Sequence, residues 1–170
     1  MPRLLLLICV FLLVLPASGQ TKVIHVFVAL CDNENQGIVP VSEMLGNGSD
    51  PRNNLYWGAL YGVKTFLKQS DKWELVMTQP QELPVLERVI FKHRKTGAFL
   101  IADAYEGISI KQATIDFLEA ASGSTEEGIS FTYANQEYRI NAYGESDLIA
   151  YIGHDGLMDF SLDSYPSKKN

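Results

Sequence analysis

KVIHVFVAL, residues 22–30, is a continuous apolar run rich in β-branched residues, and the polar stretch CDNENQG at 31–37 closes it. A strand with one wet face alternates apolar and polar residues. This run does not alternate, so it reads as a strand buried on both faces, of the kind found inside a parallel sheet covered by helices. His25 within it reads as a core histidine with its hydrogen bonds satisfied rather than as a ligand.

The neighbouring segments extend the pattern. Asp50 followed by Pro51 sets a helix start, an N-cap acceptor before a proline at the first helical position. Tyr56, Leu60, Val63 and Leu67 then repeat on one face, widened by Trp57, Tyr61 and Phe66, and predict a helix to about Gln69. KWELVMTQP is a short strand ended by Pro80. ERVIFKHRKTGAFLIADAY is a hairpin turning at Lys95-Thr96-Gly97. ISIKQATIDFLEAASG is a second helix, with Ile110, Ala113, Phe117 and Ala121 on its inner face and Gly123 as its stop. GISFTYANQEYRINAYG is another hairpin, and LIAYIGH, from Leu148, is the last strand. The expected fold is α/β: a mostly parallel sheet flanked by helices, with antiparallel hairpins at an edge.

The first 19 residues carry Arg3, the apolar run LLLLICVFLLVLP and the small residues ASG, the three-part order of a secretory signal cleaved near Gly19. The apolar run is shorter than the roughly 20 residues a membrane span needs. Residues 20–170 then form one domain, secreted or periplasmic. Cleavage takes Arg3 from the 14 basic residues, leaving 13 against 20 acidic ones and a net charge of −7. Such an acidic chain without a basic block does not suit nucleic acid, nor a membrane surface once the signal is gone. Cleavage also removes Cys9, so Cys31 stands alone as a buried small hydrophobe or a free thiol. Asn47-Gly48-Ser49 has the form of a glycosylation sequon. It lies in a polar segment, residues 32–50, whose length marks it as a candidate functional loop.

In parallel α/β sheets, ligands and catalytic groups gather beyond the carboxyl ends of the strands. Cys31 and Asp32 occupy that position after one strand, and His154 and Asp155 after another. A histidine in a glycine-flanked turn has the proton affinity of a general base near neutral pH.

The element order and the glycine-rich histidine turn resemble the caspase-like cysteine peptidases: caspases, metacaspases, legumains and gingipains. VIHVFVALCDNENQGIVPV, DPRNNLYWGALYGVKTF and DLIAYIGHDGLMDF look still more like a group of exported bacterial proteins. The caspase-like resemblance implies His154 as general base, backbone N–H groups near Gly156 as the oxyanion site, peptides or proteins as substrates, and no metal or organic cofactor. The family's His-Gly pair is interrupted here by Asp155. The resemblance also places the nucleophilic cysteine on a further strand, which the polar tail SLDSYPSKKN does not supply. The chain therefore reads as the N-terminal part of such a domain, inactive as a peptidase by itself. Two alternatives stay open: a Cys31–His154 dyad, and a non-catalytic exported binding module using residues 32–50 and the acidic turn at 155–159. Neither substrate nor oligomeric state follows from these residues.

Overall fold

The computed structural model describes residues 21–168; the export signal read at residues 1–19 lies outside that range. A five-stranded sheet is built from β1 (Val23–Ala29), β2 (Trp73–Pro80), β3 (Val85–His93), β4 (Phe99–Tyr105) and β7 (Leu148–Ile152), in the order β2-β3-β4-β1-β7. The hairpin β5 (Glu126–Tyr133) and β6 (Gln136–Tyr143) forms a separate two-stranded sheet. The two helices are α1 (Val63–Gln69) and α2 (Ile110–Ser122).

The run at 22–30 is the central strand. β1 pairs in parallel with β4, Val23 opposite Phe99 and Ala29 opposite Tyr105, and in parallel with β7, Ile24 opposite Leu148. The remaining pairings, β2 with β3, β3 with β4 and β5 with β6, are antiparallel. The five-stranded sheet is thus evenly mixed, with two parallel and two antiparallel pairings, and the separate hairpin makes antiparallel pairings the majority, which corrects the expectation of a mostly parallel sheet. An apolar run reports burial and says nothing about direction. The short turns linking β2, β3 and β4 decide direction, because a parallel pair needs a crossover of a dozen or more residues.

Side-chain alternation divides the core between the sheet's two faces. Val26, Val28, Val89, Phe91 and Ala102 point to the face covered by Trp57 and by Val63 and Leu67 of α1. Phe27, Ala29 and Tyr105 point the other way, against Ile110, Ala113 and Phe117 of α2. On that second face the β5–β6 hairpin packs Ile129, Phe131 and Ile140 onto Val23, Ile90, Phe99 and Ile101. Gly123 ends α2 in the left-handed region, φ 76°, as its sequence position predicts. Ala120 rather than Ala121 completes the helix's buried face.

The first helix is shorter than its apolar stripe predicts. Residues 51–62 form successive turns, and the α-helix begins only at Val63. The Asn54 carbonyl accepts the N–H groups of Trp57, Gly58 and Ala59 together, which winds the chain tightly instead of letting a ladder propagate. Gly58 and Gly62 allow that path, since a Cβ on either would lie within 2.4 Å of other backbone. Trp57 turns inward and donates its indole N–H to Glu87 at 2.9 Å, while Leu60, Tyr61 and Phe66 are left exposed.

Candidate functional site at the carboxyl edge of the sheet

Because β1 and β7 are parallel neighbours, the residues that follow them leave the sheet at the same edge. Cys31 and Asp32 follow β1, and His154 to Gly156 follow β7. Gly153 closes the two ends together: a Cβ there would meet Ala29 Cβ at 3.1 Å and the Tyr151 hydroxyl at 2.9 Å.

The segment after β1 is held by its own polar side chains. Asn54, fully buried, accepts the Cys31 N–H at 3.0 Å and donates to the Cys31 carbonyl at 2.8 Å, pairing with the strand end as another strand would. Gln36 donates to the carbonyls of Leu30 and Gly107 and accepts the Asp32 N–H. Asp32 accepts the backbone N–H groups of Glu34 and Asn35 and the Asn35 side-chain amide. Gly48 and Gly107 lie against its carboxylate so closely that a Cβ on either would overlap it. The asparagine-rich composition of this loop thus satisfies backbone groups that a buried loop would otherwise leave unpaired.

Cys31 is 1 % exposed. Burial first, then the neighbouring Asp32 charge, pushes its thiol up. Thiolate is the reactive form, so this environment suppresses nucleophilic chemistry at Cys31. We expect a thiol reagent such as Ellman's to react with the native chain far more slowly than with the urea-unfolded one. Equal rates would show Cys31 to be open.

His154 has a different surrounding. Its side chain is mostly buried, and Nε2 lies 3.0 Å from Asp159 Oδ2, an ion-pair approach without the alignment of a hydrogen bond. Asp159 Oδ2 also accepts the Gly37 N–H at 2.9 Å, so one carboxylate joins the loop after β1 to the turn after β7. The Tyr151 hydroxyl donates to the His154 carbonyl at 3.0 Å. Gly156 is buried, with Phe160 and Ile110 packed where a Cβ would be. His154 and Cys31 do not hydrogen-bond to each other among the described residues. Nor do those residues include a group of three or more His, Cys, Asp or Glu side chains placed to hold a metal ion.

No family model matches this chain, and neither does a curated protein or a solved structure. No helix among the described residues is long and apolar enough to cross a membrane.

A second polar constellation lies inside the sheet's α2 face. His25, Arg88 and Asp103 stand on neighbouring strands with side chains on the same side. Arg88 grips Asp103 through Nε at 2.6 Å and Nη2 at 2.8 Å, and Nη2 also reaches the Tyr143 hydroxyl at 3.1 Å. The Tyr143 backbone N–H donates to His25 Nδ1 at 3.0 Å. His25 therefore holds its proton on Nε2, which donates to Asp103 at 3.0 Å. The reading of His25 as a satisfied core histidine holds, and its partners, which an apolar run does not reveal, are Asp103 and the Tyr143 N–H. Arg88 and Asp103 were visible as charged residues inside apolar strands, which buried polar groups enter only with partners. Asp159 stands beside His154 as a single carboxylate, although acidic turns are usually solvated.

Proposed function

We propose that this is an exported caspase-like hydrolase domain in which His154 is the general base for a cysteine nucleophile, with peptides or proteins as substrates. The observation that carries the reading is the place of His154. It follows β7, an edge strand whose outer side pairs with no strand among the described residues, and a carboxylate lies beside its ring. A further strand pairing in parallel on that free side would bring its own carboxyl end next to His154, and a cysteine there would meet the base.

With Nε2 turned to Asp159, Nδ1 is the nitrogen left for proton transfer. It takes the thiol proton as sulfur attacks the substrate carbonyl carbon, and gives that proton to the departing amine as the C–N bond breaks. Backbone N–H groups of the turn near Gly156 would steady the oxyanion. Water then releases the acyl group from sulfur. This scheme assigns no step to Cys31, whose thiol is buried and pushed up by that burial.

A second reading, a non-catalytic binding module, rests on an open polar cleft of about 410 Å³ beside Asp32, Glu34, Glu43 and Asn47 in the long loop. Labelling with a peptide electrophile that traps reactive thiols separates the two. The test compares residues 20–170 with a form extended through any strand that the reading frame encodes beyond them. The hydrolase reading expects the extended form to label and the label to vanish in His154→Ala. Labelling of residues 20–170 that is lost in both Cys31→Ala and His154→Ala would instead make Cys31 the nucleophile. No labelling of either protein would leave the binding module as the better description.

A further inference from the structure

Arg88 is more deeply committed than a surface arginine, with a side chain only 9 % exposed, yet the pairing with Asp103 and Tyr143 uses only Nε and Nη2. Among the described residues nothing accepts from Nη1, which keeps two N–H donors. The Tyr143 hydroxyl accepts from Arg88, so its own hydrogen is also free to donate. Arg88 and Tyr143 together form part of the wall of an open cleft of about 640 Å³, bounded by Gln79 to Glu82 at the end of β2 and by Glu127 of β5. The volume falls in the usual range of small-molecule sites.

Tyr143 itself has φ 51°, a left-handed conformation that costs a bulky residue energy and persists only where the surroundings fix it. Here they fix it twice, through its N–H to His25 and its hydroxyl to Arg88. Burial, then the Asp103 charge, pushes the hydroxyl up to about 12, so it remains a donor at neutral pH.

We infer that this cleft is a binding site for a free α-amino acid, with the ligand carboxylate on Arg88 Nη1 and the Tyr143 hydroxyl and its ammonium group toward Glu127 and Glu82. The donors converging at the wall call for an anionic acceptor with two oxygens. A simple anion is disfavoured, because Asp103 already neutralises Arg88 and the rim adds two carboxylates. A zwitterion satisfies both ends. This site is separate from His154 and does not depend on the hydrolase reading.

Calorimetric titration of the folded protein with L-alanine, L-glutamine and L-lysine tests it, each followed by its methyl ester and its deaminated acid. At least one amino acid should bind, and its ester and deaminated analogue should each bind at least tenfold more weakly. Tyr143→Phe, which keeps the ring, should weaken binding roughly tenfold, the usual effect of one hydrogen bond to a charged group. Glu127→Gln should weaken the amino acid but not the deaminated acid, which should bind as well or better once that rim charge is gone. Unchanged far-UV dichroism and melting midpoint in both variants show that the fold is intact. Absence of binding for all three amino acids overturns the inference. So does equal binding of the deaminated acid, or indifference to both substitutions.

Discussion

Replacing Asp103 by alanine is expected to cost the fold about 3–5 kcal/mol, the range found when one partner of a buried ion pair is removed. Asp103 is fully buried, and three donors converge on it, two from Arg88 and one from His25. Without it, the Arg88 charge stays inside the sheet with only a tyrosine hydroxyl as partner, and His25 Nε2 loses its acceptor. Replacing the pair together, Arg88→Met with Asp103→Leu, should restore much of the loss, because no buried charge is then left alone. Urea unfolding midpoints of the single and double variants measure this. A single-variant loss below about 1 kcal/mol would mean that water reaches Arg88 and screens it.

The same carboxylate sets an acid dependence. Burial alone would raise the Asp103 carboxyl, but hydrogen bonds from Arg88 and His25 outweigh it, and the group lies below its ordinary value. A carboxyl that is more acidic folded than unfolded contributes stability above the unfolded value of about 3.9, and that stability fades as pH falls through the folded value. The gap in stability between the native chain and Asp103→Ala should therefore be widest near neutrality and shrink in strong acid.

If the domain is hydrolytic, His154→Ala in the extended form should lower kcat/KM by about 10²–10⁴, the range that a positioned general base supplies. Asp159→Asn should cause a smaller loss, since the imidazole itself remains and only the carboxylate beside Nε2 is removed. The two together should lose little more than His154→Ala alone, because Asp159 acts through the histidine. Full activity in His154→Ala would reduce His154 to a turn residue and remove the basis of the hydrolase reading.

Much of the fold was legible because burial leaves a periodic trace. The unbroken run at 22–30 became the strand with parallel partners on both sides, Gly97 and Gly123 fell where the chain bends, and GISFTYANQEYRINAYG folded as a hairpin. Strand direction was not legible, since VIFKH and FLIAD look alike whether their neighbours run up or down. The helix from Pro51 failed for a chemical reason: Asn54 draws the backbone around itself, and the glycines that permit this look like ordinary helix impurities. At the site, the positions of Cys31 and His154 at one edge followed from reading both as strand ends. Their environments did not follow, because the burial of Cys31 and the reach of Asp159 depend on loops that no periodicity describes.

The pairing of β1 also bears on how the chain folds in time. The central strand is made before the strands it pairs with, and its β7 neighbour follows only after most of the described chain; the bond from Val23 N–H to Asp147 spans 124 positions. Closing such a loop is entropically unfavourable until the last strand is available, and proteins dominated by distant pairings fold slowly, on the order of milliseconds to seconds. The β2-β3-β4 meander can assemble locally while β1 still lacks its second partner. A nascent chain therefore passes through a stage in which its most apolar strand is open on one side, and only the emergence of residues 148–152 lets β1 gain its second parallel partner.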